Sequence, residues 1–179
     1  MDKSELRHII RARKIHISPE QKAKESVRVF SQIEQLEIFH SCKNILLYNS
    51  LPDELPTKET IKQWLSLKNI FLPRVKGNEL EIVPYNGIMS NDNPFHIEEP
   101  IGIPVSAEVL DLIIVPAVAL DKKCQRMGRG KGFYDRLLST TNAYTIGVAM
   151  DCQLFDTIPT EPHDVPLNAV FTASYTFLK

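Results

Sequence analysis

Long apolar runs are missing from this 179-residue sequence: none approaches the roughly 20 residues needed to cross a bilayer, and the start, Met1-Asp2-Lys3-Ser4-Glu5, is polar and charged. Secretion and membrane insertion are therefore not expected. Cysteine is scarce. Cys42, Cys124 and Cys152 are odd in number, widely spaced and without a C-x-x-C pair, which argues against zinc and dithiol motifs and favours a reduced, cytoplasmic setting. An excess of either charge is also absent. With 21 Lys and Arg against 22 Asp and Glu, the overall field attracts neither nucleic acid nor an anionic membrane, so any anion site must be a local concentration of positive charge. Internal repeats and linkers are lacking too. What remains is an ordinary globular composition, 43% hydrophobic and 24% charged, in a chain suited to one domain over residues 1–179.

Two helices are expected first. Asp2 or Ser4 caps one running to about residue 16, with Lys3, Arg7, Arg11 and Lys14 on one basic face. Ser18-Pro19-Glu20-Gln21 reads as a cap, a first-turn proline and a capping-box glutamine. It opens a second helix whose core stripe is Ala23, Val27, Phe30, Ile33 and Leu36, ending near His40. From Asn44 the pattern changes to short apolar runs at 45–48, 70–72 and 80–83. Thr57 is placed to cap a helix between the first two, giving a parallel β-α-β unit. Residues 86–107, rich in Asn, Pro and Gly, are either a covering loop or an irregular sheet edge. A continuous run, Leu112 to Pro116, reads as a fully buried strand, followed by a helix from Phe133 to Leu138 and strands at 144–149 and 169–172. The sum is an α/β fold, a single open and mostly parallel sheet flanked by helices.

The chemistry concentrates in Arg126-Met127-Gly128-Arg129-Gly130-Lys131-Gly132-Phe133-Tyr134-Asp135. Alternating glycines let backbone N–H groups turn toward one anion while the interleaved cations neutralise it, and the helix that follows adds the positive end of its dipole. The spacing is not that of a P-loop, because Gln125 stands where its first glycine belongs and Gly132 where its hydroxyl belongs. A basic strand-to-helix turn is the bland alternative, against which three glycines and three cations within seven residues weigh. Asp135 and Asp164, the latter in Glu161-Pro162-His163-Asp164, are candidate Mg2+ carboxylates if the fold unites them. His163 reads as a turn residue rather than a ligand. Glu54, after the first strand, suits an amino-substituted heterocycle, with Tyr48 or Phe133 as a flat apolar surface.

In order along the chain, Lys3-Ser4-Glu5-Leu6-Arg7, Leu51-Pro52-Asp53-Glu54, Asp111 to Pro116 before Leu120-Asp121, Arg126 to Asp135, and Glu161 to Asp164 resemble the 5-formyltetrahydrofolate cyclo-ligase family. The resemblance implies a sheet related to the ribose-phosphate isomerase and CoA-transferase type. It implies ATP-dependent closure of an N5-formyl group onto N10 of tetrahydrofolate, by a monomer with no nucleic-acid or membrane partner. By the same resemblance, Lys3, Ser4, Glu5, Leu6, Arg7 and Arg126, Met127, Gly128, Arg129, Gly130, Lys131, Gly132, Phe133, Tyr134 contact ATP. Asn49, Glu54 and Arg129 to Phe133 contact folate, and Asp135 and Asp164 hold Mg2+. Lys131 and Arg129 serve phosphoryl transfer, Lys131 nearest the transferred group. Two positions depart from the family pattern. Cys124 replaces a usual glycine, which implies a different entry turn, and Asn168 replaces a frequent aspartate, which implies one charge fewer near the metal. Two readings compete: another small-molecule phosphotransferase, and a non-catalytic nucleotide- or RNA-binding relative, against which the neutral charge and lack of an RNP-type aromatic motif argue.

Overall fold

A computed structural model of the chain describes residues 2–92 and 97–179. The first helix, α1 (Lys3–Lys14), begins with a full capping box: the Asp2 carboxylate accepts from the amides of Ser4 and Glu5, and the Glu5 carboxylate accepts from the Asp2 amide at 2.8 Å. Its inward residues are Leu6 and Ile10, which pack with Ala119, Met127 and Ile158. The second helix, α2 (Pro19–Glu34), is capped by Ser18 as its sequence predicts.

The buried stripe of α2 differs from expectation. Ser26, Val29, Phe30 and Ile33 face inward, while Ala23 is exposed and Val27 is 66% exposed. Two polar anchors set this rotation: Ser26 Oγ donates to Pro56 O at 2.5 Å, and Glu25 Oε2 accepts from the Asp151 amide at 2.8 Å. The helix also stops at Glu34 rather than near His40. A separate short helix, α3 (Glu37–Ser41), turns Phe39 onto the Trp64 ring, 4.7 Å between centroids.

Seven strands form the main sheet in the order β12-β11-β9-β6-β1-β2-β3. In chain order these are β1 (Asn44–Leu46), β2 (Asn69–Lys76), β3 (Glu79–Pro84), β6 (Leu112–Pro116), β9 (Tyr144–Val148), β11 (Ala169–Phe171) and β12 (Thr176–Leu178). β2, β1, β6, β9 and β11 run parallel to their neighbours, and β3 and β12 close the two edges antiparallel. The expected α/β class and mostly parallel sheet are found. β6 reads as an unbroken apolar run because both its faces are covered. Leu112 and Ile114 join the helical core of Phe30, Ile33 and Trp64. Ile113 and Val115 join Leu137 and Leu138 of α5 (Phe133–Leu138) on the other side.

The crossover helix α4 (Lys58–Trp64) links β1 to β2, but Thr57 does not cap it. Its hydroxyl donates instead to Tyr48 O at 2.6 Å and accepts from the Ser50 amide at 3.1 Å, pinning the loop after β1. Two small sheets complete the described structure. β4 (Met89–Ser90) pairs with β5 (Glu99–Pro100), and β7 (Ala119–Asp121) lies between β8 (Arg126–Met127) and β10 (Leu154–Phe155). Within 86–107, residues 93–96 lie outside the described residues, and Val105 bridges Ile82 on β3.

Candidate active site

The carboxyl ends of β1 and β6 open into a cleft of about 1320 Å³, the side where open α/β sheets bind ligands. Part of its lining is the loop 128–132, held between β8 and α5. Gly132 occupies the N-cap of α5 with φ +67, a left-handed conformation costly to any residue with a Cβ. Gly128 serves a different need, because a Cβ there would stand 2.6 Å from Arg126 Nη1. The loop backbone and the guanidinium are in near contact.

Arg126 is 5% exposed and pairs with Asp135 Oδ1 at 2.7 Å, its guanidinium 5.7 Å from the Tyr134 ring centroid. Arg7 reaches over from α1 to donate to Gly128 O at 3.3 Å. The Nε atoms of Arg7 and Arg126 are both buried without a hydrogen-bond partner among the described residues. Donors left in this state cost free energy unless something accepts from them. Lys131 is exposed in the cleft wall, and its ammonium makes no hydrogen bond or ion pair among the described residues. Arg136, which no sequence motif singles out, also lines the cleft. It donates to the carbonyls of Asn78 and Lys131 and lies 5.5 Å from the Phe133 ring centroid.

Also in the lining, Lys3 bridges Glu161 at 2.6 Å and Asp164 at 2.7 Å. Burial pushes the Asp164 carboxyl up, but the Lys3 ammonium and the Glu161 amide outweigh it and hold the group below its usual range. Glu161, His163 and Asp164 each bring a potential ligand atom within 4.8 Å of the others, so the histidine stands closer to a ligand set than its turn context suggests. Glu54 of the lining accepts from the Leu51 amide through Oε2 and faces Arg129 through Oε1. Asn49 Nδ2 donates to Glu98 O at 3.3 Å, joining the 86–107 segment to the end of β1. Tyr48 is buried with its hydroxyl donated to Leu55 O at 2.8 Å, and burial raises that hydroxyl well above its ordinary pKa. The half-buried Phe133 is the more open aromatic surface.

The cleft thus brings together Lys3, Arg7, Asn49, Glu54, the whole run from Arg126 to Asp135, and Asp164. It does not take in Ser4, Glu5 or Leu6: the first two belong to the start of α1, and Leu6 is fully buried.

The sequence profile of the 5-formyltetrahydrofolate cyclo-ligase family matches residues 1–173. The chain belongs to that family. The 5-formyltetrahydrofolate cyclo-ligase of Escherichia coli K12 is 32% identical over 179 residues, covering 93% of this chain and 97% of the relative. The Aquifex aeolicus 5,10-methenyltetrahydrofolate synthetase structure superimposes with a TM-score of 0.88 at 32% identity, over 99% of this chain and 93% of that one. A Mycoplasma pneumoniae synthetase structure, 23% identical, shares the fold with a TM-score of 0.77. This cyclo-ligase family member is accordingly an enzyme.

Both departures from the family pattern behave differently from expectation. Cys124 adopts φ +60, the left-handed conformation natural to glycine, so the entry turn keeps a glycine-type shape. Asn168 lies at the amino end of β11, where its Oδ1 accepts from the Thr145 amide at 2.8 Å and hydroxyl at 2.9 Å. The cleft lies at the carboxyl ends, so Asn168 removes no charge from it. Asp135 and Asp164 suit Mg2+ by chemistry: both are hard carboxylates, and Asp135 Oδ2 and Asp164 Oδ1 are free of hydrogen bonds among the described residues. Two carboxylates completed by phosphate oxygens and water make a typical Mg2+ set.

Proposed function

We propose that the chain is, as one domain, a 5-formyltetrahydrofolate cyclo-ligase that converts 5-formyltetrahydrofolate and ATP to 5,10-methenyltetrahydrofolate, ADP and phosphate. The observation that carries this reading is the basic glycine loop lining a single cleft together with Glu54 and the Lys3–Asp164 pair. A formamide oxygen is a poor leaving group. Transfer of the γ-phosphoryl group to it makes the oxygen leave as phosphate when N10 attacks the same carbon, and loss of the N10 proton completes the methenyl bridge.

The residues then divide by role. Lys3, Arg7, Arg126 and the loop amides from Met127 to Tyr134 hold the ATP phosphates, with Ser4, Glu5 and Leu6 fixing the first turn of α1. Arg7 and Arg126, both in the cleft lining, present guanidinium groups suited to phosphate oxygens. Lys131 and Arg129 neutralise the charge that spreads over the transferred group, the Lys131 ammonium having no ion-pair partner among the described residues. Asn49, Glu54 and the loop from Arg129 to Phe133 hold the folate and set N10 against the formyl carbon. A magnesium ion on Asp135 and Asp164 would add positive charge at the phosphates. We further infer a cytoplasmic monomer acting on small molecules rather than on nucleic acid or a membrane. No helix among the described residues is long and apolar enough to span one.

The test is direct. Purified protein mixed with 5-formyltetrahydrofolate, ATP and Mg2+ should give a rise in methenyl absorbance that depends on all three. No rise overturns the reading. Lys131→Ala should lower kcat by roughly 100-fold, the scale of losing one preorganised charge-stabilising group, and normal turnover in that variant removes Lys131 from the mechanism.

A further inference from the structure

The segments assigned to ATP and folate also meet outside the cleft, at a residue with no role so far. Asp53 does not line the cleft. Its carboxylate lies 3.1 Å from Lys14 Nζ on α1 and 2.5 Å from Arg129 Nη2 on the glycine loop. The loop that carries it is itself anchored, since Lys22 of α2 donates to Pro52 O at 2.9 Å. Lys14 is only 9% exposed, a fixed post, whereas Asp53 is 51% exposed. Burial pushes the Asp53 carboxyl up, but hydrogen bonds and charge from Arg129 and Lys14 hold it below its usual value.

Arg129 therefore faces two carboxylates that differ in use. Glu54 Oε2 accepts from the Leu51 amide, so Oε1 is the oxygen left for a heterocycle's amino group. Arg129 meets that oxygen only loosely, at 3.2 and 3.3 Å. A guanidinium offered Glu54 alone would settle onto it, because arginine and carboxylate prefer close paired hydrogen bonds. Substrate would then have to displace it.

We propose that Asp53 is a positioning residue for folate binding: backed by Lys14, it draws the Arg129 guanidinium to the rim of the cleft and keeps Glu54 available to the substrate. The proposal rests on the cyclo-ligase reading. Asp53 acts through Arg129 and touches no reactant.

Steady-state kinetics of Asp53→Asn test it. The KM for 5-formyltetrahydrofolate should rise about fivefold, the scale of a good partly exposed pair, while the KM for ATP, which Lys3, Arg7 and Arg126 still hold, changes by less than about twofold. Asp53→Glu should restore most of the loss. Folate affinity measured by calorimetry without ATP should fall no further in Asp53→Asn/Arg129→Ala than in Arg129→Ala, since one residue acts through the other. Lys14→Met separates positioning from general loosening: it should lower Tm as Asp53→Asn does and raise the folate KM less. If Asp53→Asn does not fold, the wild-type folate KM should still rise with ionic strength as the half-exposed pair is screened. An active wild type with an unchanged KM in Asp53→Asn, effects that add to those of Arg129→Ala, or a flat salt profile overturns the role of Asp53. An inactive wild type overturns the cyclo-ligase reading instead.

Discussion

Gly128 and Arg126 stand so close that one added methyl at Gly128 would lie 2.6 Å from Arg126 Nη1. Gly128→Ala should therefore push the guanidinium off Asp135 and lower kcat/KM by about 100-fold, the usual result of a displacement near 1 Å. Gly87→Ala is the contrast. That glycine has φ +93 but open space around its would-be Cβ, so the variant should lose about 1 kcal/mol of stability and keep its activity. Full activity in Gly128→Ala would mean that the Arg126 guanidinium makes room without leaving Asp135.

The Arg126–Asp135 pair is nearly out of water, with side chains 3% and 17% exposed. Asp135→Asn strands a buried guanidinium and should cost about 3 kcal/mol in urea unfolding. It should also raise the Mg2+ concentration required for turnover. An unchanged unfolding midpoint would mean that Arg126 finds another partner.

The Lys3–Asp164 pair sets two pH edges. For Lys3, burial lowers the ammonium pKa, but Asp164 and Glu161 together raise it above its ordinary 10.5. Its contribution is complete below that value and lost as pH rises through the folded pKa. Asp164 is shifted below its ordinary 3.8, so its contribution is complete above that value and lost as pH falls through the folded pKa. A Tm profile should fall below about pH 4 and again in strong alkali. Lys3→Met should flatten the alkaline fall and shrink the acid one; an unchanged profile would assign both edges elsewhere.

Cys124 sits at φ +60 with its thiol buried and its Sγ 3.5 Å from Phe177 O. The left-handed backbone costs a non-glycine residue about 1 kcal/mol, comparable to the burial that its small side chain contributes. Cys124→Gly should thus be near neutral. Cys124→Val, β-branched in that conformation, should lose about 2 kcal/mol or more by the chemical denaturation midpoint. A valine variant as stable as wild type would mean the turn relaxes.

Much of this was legible because single residues signal it. The cap at Asp2 or Ser4, Pro19, the unbroken run of β6 and the alternating glycines each mark where an element starts or is buried, and the elements lie where they indicate. The rotation of α2 was not, because Ala23-Val27-Phe30 and Ser26-Val29-Phe30-Ile33 fit a helical period equally well. Partners as distant as Pro56 and Asp151 decide between them. β7, β8 and β10 are too short to carry a periodicity. In the cleft, chemistry-bearing residue types could be read from the chain, but which cation meets which carboxylate could not. Arg136 carries no such signal because it lies inside α5, past the loop it supports.

The first turn of α1 points two ways, Lys3 and Arg7 to the cleft and Leu6 into the cluster with Met127 and Ile158. A phosphate ligand that holds the two cations is thereby bound only to the docked helix. Its binding free energy adds to the cost of undocking. Amide hydrogens of α1 should exchange with solvent more slowly once nucleotide is present, although most of them lie beyond its reach.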